Sequence, residues 1–194
     1  LPHRCAFGRA AEQVGLSTQG ALEAKLKAYV LMGVEPYFDI ANPSNARQAM
    51  LAAEFVVSIS AYQNDAILES ADVILPMSLP FETSGTYINI DKTWQTFKGV
   101  VSPPGEVRPA WKILRVLGNI LHCDGFEYAS TADVIKQIEA DLLLADNPIT
   151  DYFYPEALPA TRDALTRVGQ WPLYRVDAMT RHAGALQASA SANQ

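Results

Sequence analysis

Three short segments hold the residues best placed for chemistry: Gly33-Val34-Glu35-Pro36, Ser60-Ala61-Tyr62-Gln63-Asn64-Asp65 and Pro76-Met77-Ser78. Each follows an apolar run, and in doubly wound sheets ligands bind at the carboxyl ends of strands. Gly33 lets the backbone turn tightly, and Glu35 could accept a ribose hydroxyl. The plainer alternative has Gly33 ending a strand and Glu35 in solvent. Spacing alone favours the plainer one, because topology locates a site without filling it. Neither GxGxxG nor GxxxxGK[ST] occurs, so a dinucleotide fingerprint and a triphosphate loop are both absent.

Other chemistries have weaker support. His3, His122 and His182 are scattered, with no pair at i, i+4, and His122-Cys123-Asp124 lacks a four-ligand spacing. A capping or surface role is expected for that trio. No GxSxG elbow is present. Glu82, Asp91 and Asp72 could pair for acid–base work, but nothing sets their separation, and they read as solvated or capping residues. Trp94, Trp111 and Trp171, with Tyr152, Phe153, Tyr154 and Tyr174, read as core or interface, where an apolar body meets a polar rim.

The elements that must position these residues follow from periodicity and punctuation. Thr18 to Ala28 is rich in helix formers, and Leu22 and Leu26 share a face. Tyr29 to Met32 reads as a buried strand. A helix starts near Asn42-Pro43-Ser44, with Ala46 to Glu54 as its body and Asn42 or Ser44 as its cap. Phe55 to Ile59 is a second strand, Ala66 to Ala71 a short helix, and Asp72 to Leu75 a third strand stopped by Pro76. Continuous apolar strands alternating with helices predict a parallel sheet covered on both faces.

The pattern changes after Pro76. Thr86 to Ile90 and Thr93 to Phe97 predict a hairpin around Asp91-Lys92. Pro109 opens a strong helix from Ala110 to Leu121, striped by Trp111, Leu114, Leu117 and Leu121. Ser130-Thr131-Ala132-Asp133 predicts a capping box for a helix through Leu144, with Val134, Ile135, Ile138 and Leu142 inward. From Asp146 aromatic and proline residues alternate. This stretch reads as a docking arm with a short helix over Ala160 to Val168 and a frayed end from Ala183.

Composition bounds the function classes. The chain has 194 residues, 15 Lys+Arg and 21 Asp+Glu, for a net charge of −6. A net negative chain is a poor general binder of nucleic acid or anionic lipid. A chain of this length buries enough surface, roughly 70%, to fold without disulfides or metals. Cys5 and Cys123 belong to no CxxC pair, and two isolated thiols fit a reducing compartment. No run reaches the roughly 18 apolar residues of a spanning helix. The start, Leu-Pro-His-Arg-Cys, lacks an initiator Met and a secretory core, so the chain reads as a piece of a longer polypeptide.

One ordered set of motifs is specific. Ala71-Asp72-Val73-Ile74-Leu75-Pro76, then Glu82-x-x-Gly85-Thr86-x-x-Asn89, resembles a domain of the molybdopterin oxidoreductase superfamily. Pro103 to Leu114 and the tail Trp171 to Asp177, with Arg181 and Ala185-Leu186-Gln187, look like the C-terminal region of the large iron–sulfur subunit of bacterial NADH-quinone oxidoreductase, respiratory complex I. The resemblance covers about residues 28–190. It implies a Rossmann-like α/β fold with helices on both faces of a parallel sheet, C-terminal helices and an extended arm. The implied division is a helical segment 1–28, an α/β domain 29–125, and a helix with docking arm 126–194.

Catalytic members of the superfamily hold a pterin dinucleotide partly at these strand ends. Their GxNP-like loop corresponds to Gly33-Val34-Glu35-Pro36, and their N-x-E-G-R-x-Q to Asn89-Ile90-Asp91-Lys92-Thr93-Trp94-Gln95. The resemblance marks Gly33, Glu35, Glu82, Gly85, Thr86, Asn89 and Gln95 as vestigial cofactor contacts. Loss of the Gly and Arg removes close backbone approach and a forked phosphate donor. It implies no catalytic residue, no metal and no cofactor in this chain, with iron–sulfur clusters carried by the missing N-terminal part of the large subunit. The implied role is a scaffold for electron transfer from NADH to quinone, the chain by itself being inactive. The implied partners are the rest of that large subunit and other peripheral-arm subunits, at the cytoplasmic face of the bacterial inner membrane without insertion. Exposed packing surfaces would favour self-association. The alternative reading is a fragment of an active enzyme of formate dehydrogenase or nitrate reductase type.

Overall fold

The computed structural model describes residues 15–89, 93–143 and 173–189. The chain divides into two compact units, Leu1–Pro148 and Ile149–Gln194. In the first unit the elements run α1 (Thr18–Glu23), β1 (Ala28–Met32), α2 (Pro36–Asp39), α3 (Pro43–Leu51), β2 (Phe55–Ser60), α4 (Asp65–Ser70) and β3 (Val73–Pro76). A 3-10 turn (Pro80–Glu82), β4 (Gly85–Ile88), β5 (Trp94–Phe97), α5 (Ala110–Ile120) and α6 (Thr131–Leu143) follow.

The strands β1, β2 and β3 form a parallel sheet in that order. Register places Tyr29 beside Val56 and Leu31 beside Ser58. Tyr29, Leu31 and Val56 pack with Leu22 of α1 and Ala46, Ala49 and Met50 of α3. Sequential strand order with right-handed crossovers puts successive connecting helices on the same side, which is why this face holds the core. The opposite face is covered unevenly. Ile59 is fully buried there, and Leu75 is half-buried near α5, but Val30 and Met32 are 60% and 50% exposed. The run Tyr29 to Met32 therefore does not form a strand buried on both faces. It alternates, because helices pack on one face of β1 and nothing among the described residues covers the other there.

Local chemistry fixes most element ends. Ser17 Oγ accepts from Gly20 N at 3.1 Å and starts α1. This helix stops at Glu23 rather than near Ala28, because Lys25 takes a left-handed φ of 48° and reverses the chain toward β1. Leu26 is consequently exposed instead of sharing a buried helical face with Leu22. Asn42 Oδ1 accepts from Asn45 N at 3.0 Å and starts α3, with Pro43 in the first turn. This helix ends at Leu51, not Glu54, because Glu54 N donates instead to Lys27 O across to the start of β1. Pro76 extends β3 rather than stopping it, and Met77 forms a parallel bridge with Arg108 beside the sheet.

The hairpin pairs antiparallel, Gly85 with Phe97 and Ile88 with Trp94. Residues 90–92 of its turn lie outside the described residues. In α5, Trp111, Leu114 and Leu117 are half-buried and Gly118 is buried, but Leu121 is exposed beyond the last turn. The capping box of α6 forms reciprocally: Ser130 Oγ accepts from Asp133 N, and Asp133 Oδ2 accepts from Ser130 N and Oγ. Those hydrogen bonds, chiefly from the Ser130 hydroxyl, hold the Asp133 carboxyl below its usual range.

The helix expected over Ala160 to Val168 and the aromatics at 152–154 and 171 lie outside the described residues. In the second unit a 3-10 turn (Leu173–Arg175) precedes α7 (Ala178–Arg181) and α8 (Gly184–Gln187). The segment from Ala183 is not frayed throughout, since it forms α8. Gln187 Nε2 donates to Tyr174 O at 2.9 Å and Thr180 O at 2.8 Å, tying the turn and both helices together. No helix among the described residues is long and apolar enough to cross a membrane.

Candidate functional site

The loops leaving β1, β2 and β3 meet at one edge of the sheet. Gly33 adopts φ +64°, and its N–H donates to Ile59 O at 2.9 Å. A Cβ there would lie 3.2 Å from Met77 Cε, so the loops after β1 and β3 are in contact across the strand ends. Left-handed backbone and close approach together favour glycine.

Glu35 is buried, with 2% exposure, and is not the solvated residue that spacing favoured. Asn64 Nδ2 donates to Glu35 Oε1 at 2.7 Å, and Glu35 N donates to Asp39 Oδ2 at 2.8 Å. Asn64 also starts α4, because its Oδ1 accepts from Ile67 N at 3.0 Å. One amide thus caps a helix and clamps a buried carboxylate. The only signal for it in the sequence was the helix-capping pattern of Asn64-Asp65 ahead of an apolar run.

A second clamp holds the same loops from outside. Glu69 on α4 accepts from Tyr37 Oη on α2 and from Arg47 on α3, with Arg47 Nε at 2.9 Å. The Arg47 guanidinium, then the Tyr37 hydroxyl, pull the Glu69 carboxyl down to about 2. Glu69 in turn raises the pKa of Arg47. Burial first, then the bond to Glu69, raise that of Tyr37. The triad joins three helices around the Glu35 loop.

The remaining expected positions separate into two groups. Gly85 and Thr86 line a depression of about 290 Å³ with Met77, Ser78, Tyr87 and Trp111. Phe97 packs over Gly85, where a Cβ would lie 2.8 Å from its ring, and stacks on Tyr87 at 5.2 Å. Thr86 Oγ1 shares a hydrogen bond with Thr96 Oγ1 at 3.1 Å across the hairpin. The others serve their own turns. Glu82 Oε2 accepts from Leu79 N at 2.9 Å, the capping role expected for it. Asn89 Oδ1 accepts from Thr93 N at 2.8 Å, and Gln95 is exposed opposite Tyr87. Asp72 Oδ2 accepts from Val56 N at 2.7 Å, a further structural carboxylate.

The arrangement therefore brings Gly33 and Glu35 together, and Gly85 and Thr86 beside them through Met77. It leaves Glu82, Asn89 and Gln95 apart. Met77 and Ser78 were placed in a strand-end loop by sequence, but nothing in their type marked them as a junction. No charged side chain lines the depression. Among the described residues no group of three or more His, Cys, Asp or Glu could hold a metal ion. Such a floor can receive neutral polar groups and offers no cation to a phosphate.

Comparison with known proteins agrees with the fold. The molybdopterin oxidoreductase family model matches residues 7–120. The chain is 35% identical over 122 residues to the mitochondrial NADH-ubiquinone oxidoreductase 78 kDa subunit of Candida albicans, covering 63% of this chain and 16% of that protein. It is 34% identical over 103 residues to an NADH-quinone oxidoreductase subunit of Streptomyces coelicolor, covering 53% and 11%. It is 28% identical over 118 residues to a nitrate reductase of Shewanella frigidimarina, covering 61% and 13%. The chain thus spans less than a fifth of the length of these relatives. With more than half of its own length matched, it belongs to the molybdopterin oxidoreductase family.

Proposed function

We propose that this chain is a structural part of the large iron–sulfur subunit of an NADH-quinone oxidoreductase, with no cofactor of its own. One observation carries the reading. At the strand end where the resemblance would place a pterin dinucleotide, the Glu35 side chain is buried and its Oε1 accepts from Asn64 Nδ2. Among the described residues the adjoining depression is lined by no Lys or Arg that could hold a pyrophosphate. The donor set does not fit that group, so no step is routed through it. The two NADH oxidoreductase relatives are also more identical to the chain, at 35% and 34%, than the nitrate reductase at 28%.

On this reading the chain contributes packing surface to electron transfer from NADH to quinone. Its partners are the rest of the large subunit and neighbouring peripheral-arm subunits, and the iron–sulfur clusters reside elsewhere in that large subunit. Its location is peripheral, at the cytoplasmic face of the membrane that holds the complex. The alternative, part of an active nitrate reductase or formate dehydrogenase, is favoured by the breadth of the family match.

Two measurements separate the readings. The chain is produced in a host that makes molybdenum cofactor, and molybdenum and oxidised pterin are quantified in the purified protein. No stoichiometric molybdenum or pterin is expected, and one equivalent of either refutes the scaffold reading. A tagged chain in its native host is expected to co-purify with NADH-quinone oxidoreductase subunits; recovery with a nitrate or formate enzyme instead refutes it.

A further inference from the structure

We propose that the groove between α5 and β3 docks an acidic amphipathic helix of a partner protein. The groove is a cavity of about 440 Å³ floored by Leu75 of β3 and by Ile113, Val116, Leu117 and Ile120 of α5. These α5 positions are spaced i, i+3, i+4, i+7, a stripe suited to packing against another helix. Val116 and Ile120 are 47% and 67% exposed, which leaves the far half of the stripe uncovered among the described residues. The stripe runs along an 11-residue helix, about 16 Å at 1.5 Å per residue. That length matches three turns of an occupant lying in the groove.

The charge of the wall selects the partner. Arg108, Lys112 and Arg115 line the cavity, and among the described residues no Asp or Glu does. This inverts the sign of a chain whose net charge is −6. Backbone carbonyls hold two of the cations in place: Arg108 Nη1 donates to Gly105 O and Val107 O, and Arg115 Nη1 to Tyr128 O at 3.0 Å. Lys112 Nζ sits 5.5 Å from the Trp111 ring centroid. The exposed Glu106 pairs with Arg108 at 3.5 Å. Arg115 Nε is buried with no acceptor among the described residues. An apolar floor walled by cations complements a helix with Leu-type anchors flanked by Asp or Glu. A lipid surface fits less well, because the patch is concave and the chain's net charge repels an anionic membrane. This inference rests on the groove alone and not on the scaffold reading.

The probe is a fluorescein-labelled helix of about 18 residues, long enough to be partly helical alone, with Leu at i, i+3, i+4, i+7 and Glu at flanking positions. Titration of the 194-residue chain into it, read by anisotropy, is expected to saturate and to weaken with added salt. Arg108→Glu with Lys112→Glu, and separately Ile120→Asp, are each expected to weaken binding by about tenfold or more. These positions are exposed, and circular dichroism checks that the variants fold. The proposal is overturned if neither peptide nor variant shows an effect, or if a Lys-for-Glu peptide binds equally. It is also overturned if phosphatidylserine vesicles bind through these residues in preference to the peptide, or if the groove is filled by a second copy, seen as a dimer in light scattering that Ile120→Asp abolishes.

Discussion

Asn64→Ala tests the joint on which the strand-end geometry depends. The substitution removes two hydrogen bonds made by one side chain. Loss of the helix cap, Oδ1 with Ile67 N at 3.0 Å, costs about 1 kcal/mol. Loss of the bond from Nδ2 to the buried Glu35 side chain at 2.7 Å costs about 1–3 kcal/mol, the range for removing the partner of a buried polar group. The two share a side chain and are not independent, so their sum of about 2–4 kcal/mol is an upper range. Asn64→Ser separates them, because serine keeps the cap but is too short to clamp Glu35. It should recover about 1 kcal/mol and no more.

Asn64→Asp also keeps the cap, but sets one carboxylate against another. Urea unfolding of the full chain at pH 7, followed by circular dichroism, gives the global cost. Hydrogen exchange at the Gly33 amide, which is bonded to Ile59 O, gives the local one. If Asn64→Ala lies within about 0.5 kcal/mol of the parent, the range of ordinary surface substitutions, the clamp does not hold the loop. If Asn64→Ser restores full stability, the contact with Glu35 contributes nothing and the reasoning fails on that half.

Acid should loosen the three-helix triad. The folded-state pKa of Glu69, about 2, lies below its usual 4.5, so the contribution is complete above about pH 4.5 and disappears as pH falls through about 2. Stability of the parent chain should therefore fall more steeply across that window than that of Glu69→Gln; equal slopes would remove the triad from the account. Gly118→Ala would place a Cβ 2.3 Å from the Phe126 ring, an overpacking cost of about 1–3 kcal/mol. Adding Phe126→Leu should recover part of that loss in the same unfolding assay, and a neutral Gly118→Ala would show that the ring moves freely.

The sequence by itself determined the local pieces, because their causes are local. Apolar strand runs, the Asn42 cap with Pro43, the reciprocal Ser130–Asp133 box and the hairpin around residues 90–92 all depend on neighbours within about one turn. The ordered motifs from Ala71 to Asn89 also carried the family, which more than half of the chain then matched. What sequence left open was every question that depends on distance between separate segments. The fate of Glu35 turned on Asn64, 29 positions away. The joining of Gly33 to Gly85 and Thr86 turned on the Met77 side chain. The exposure of Val30 and Met32 turned on which face of β1 the helices cover, which separate segments decide. Pattern fixes which face a residue takes within its own element; only packing decides what stands opposite it, and that opposing group sets whether a carboxylate is solvated or clamped.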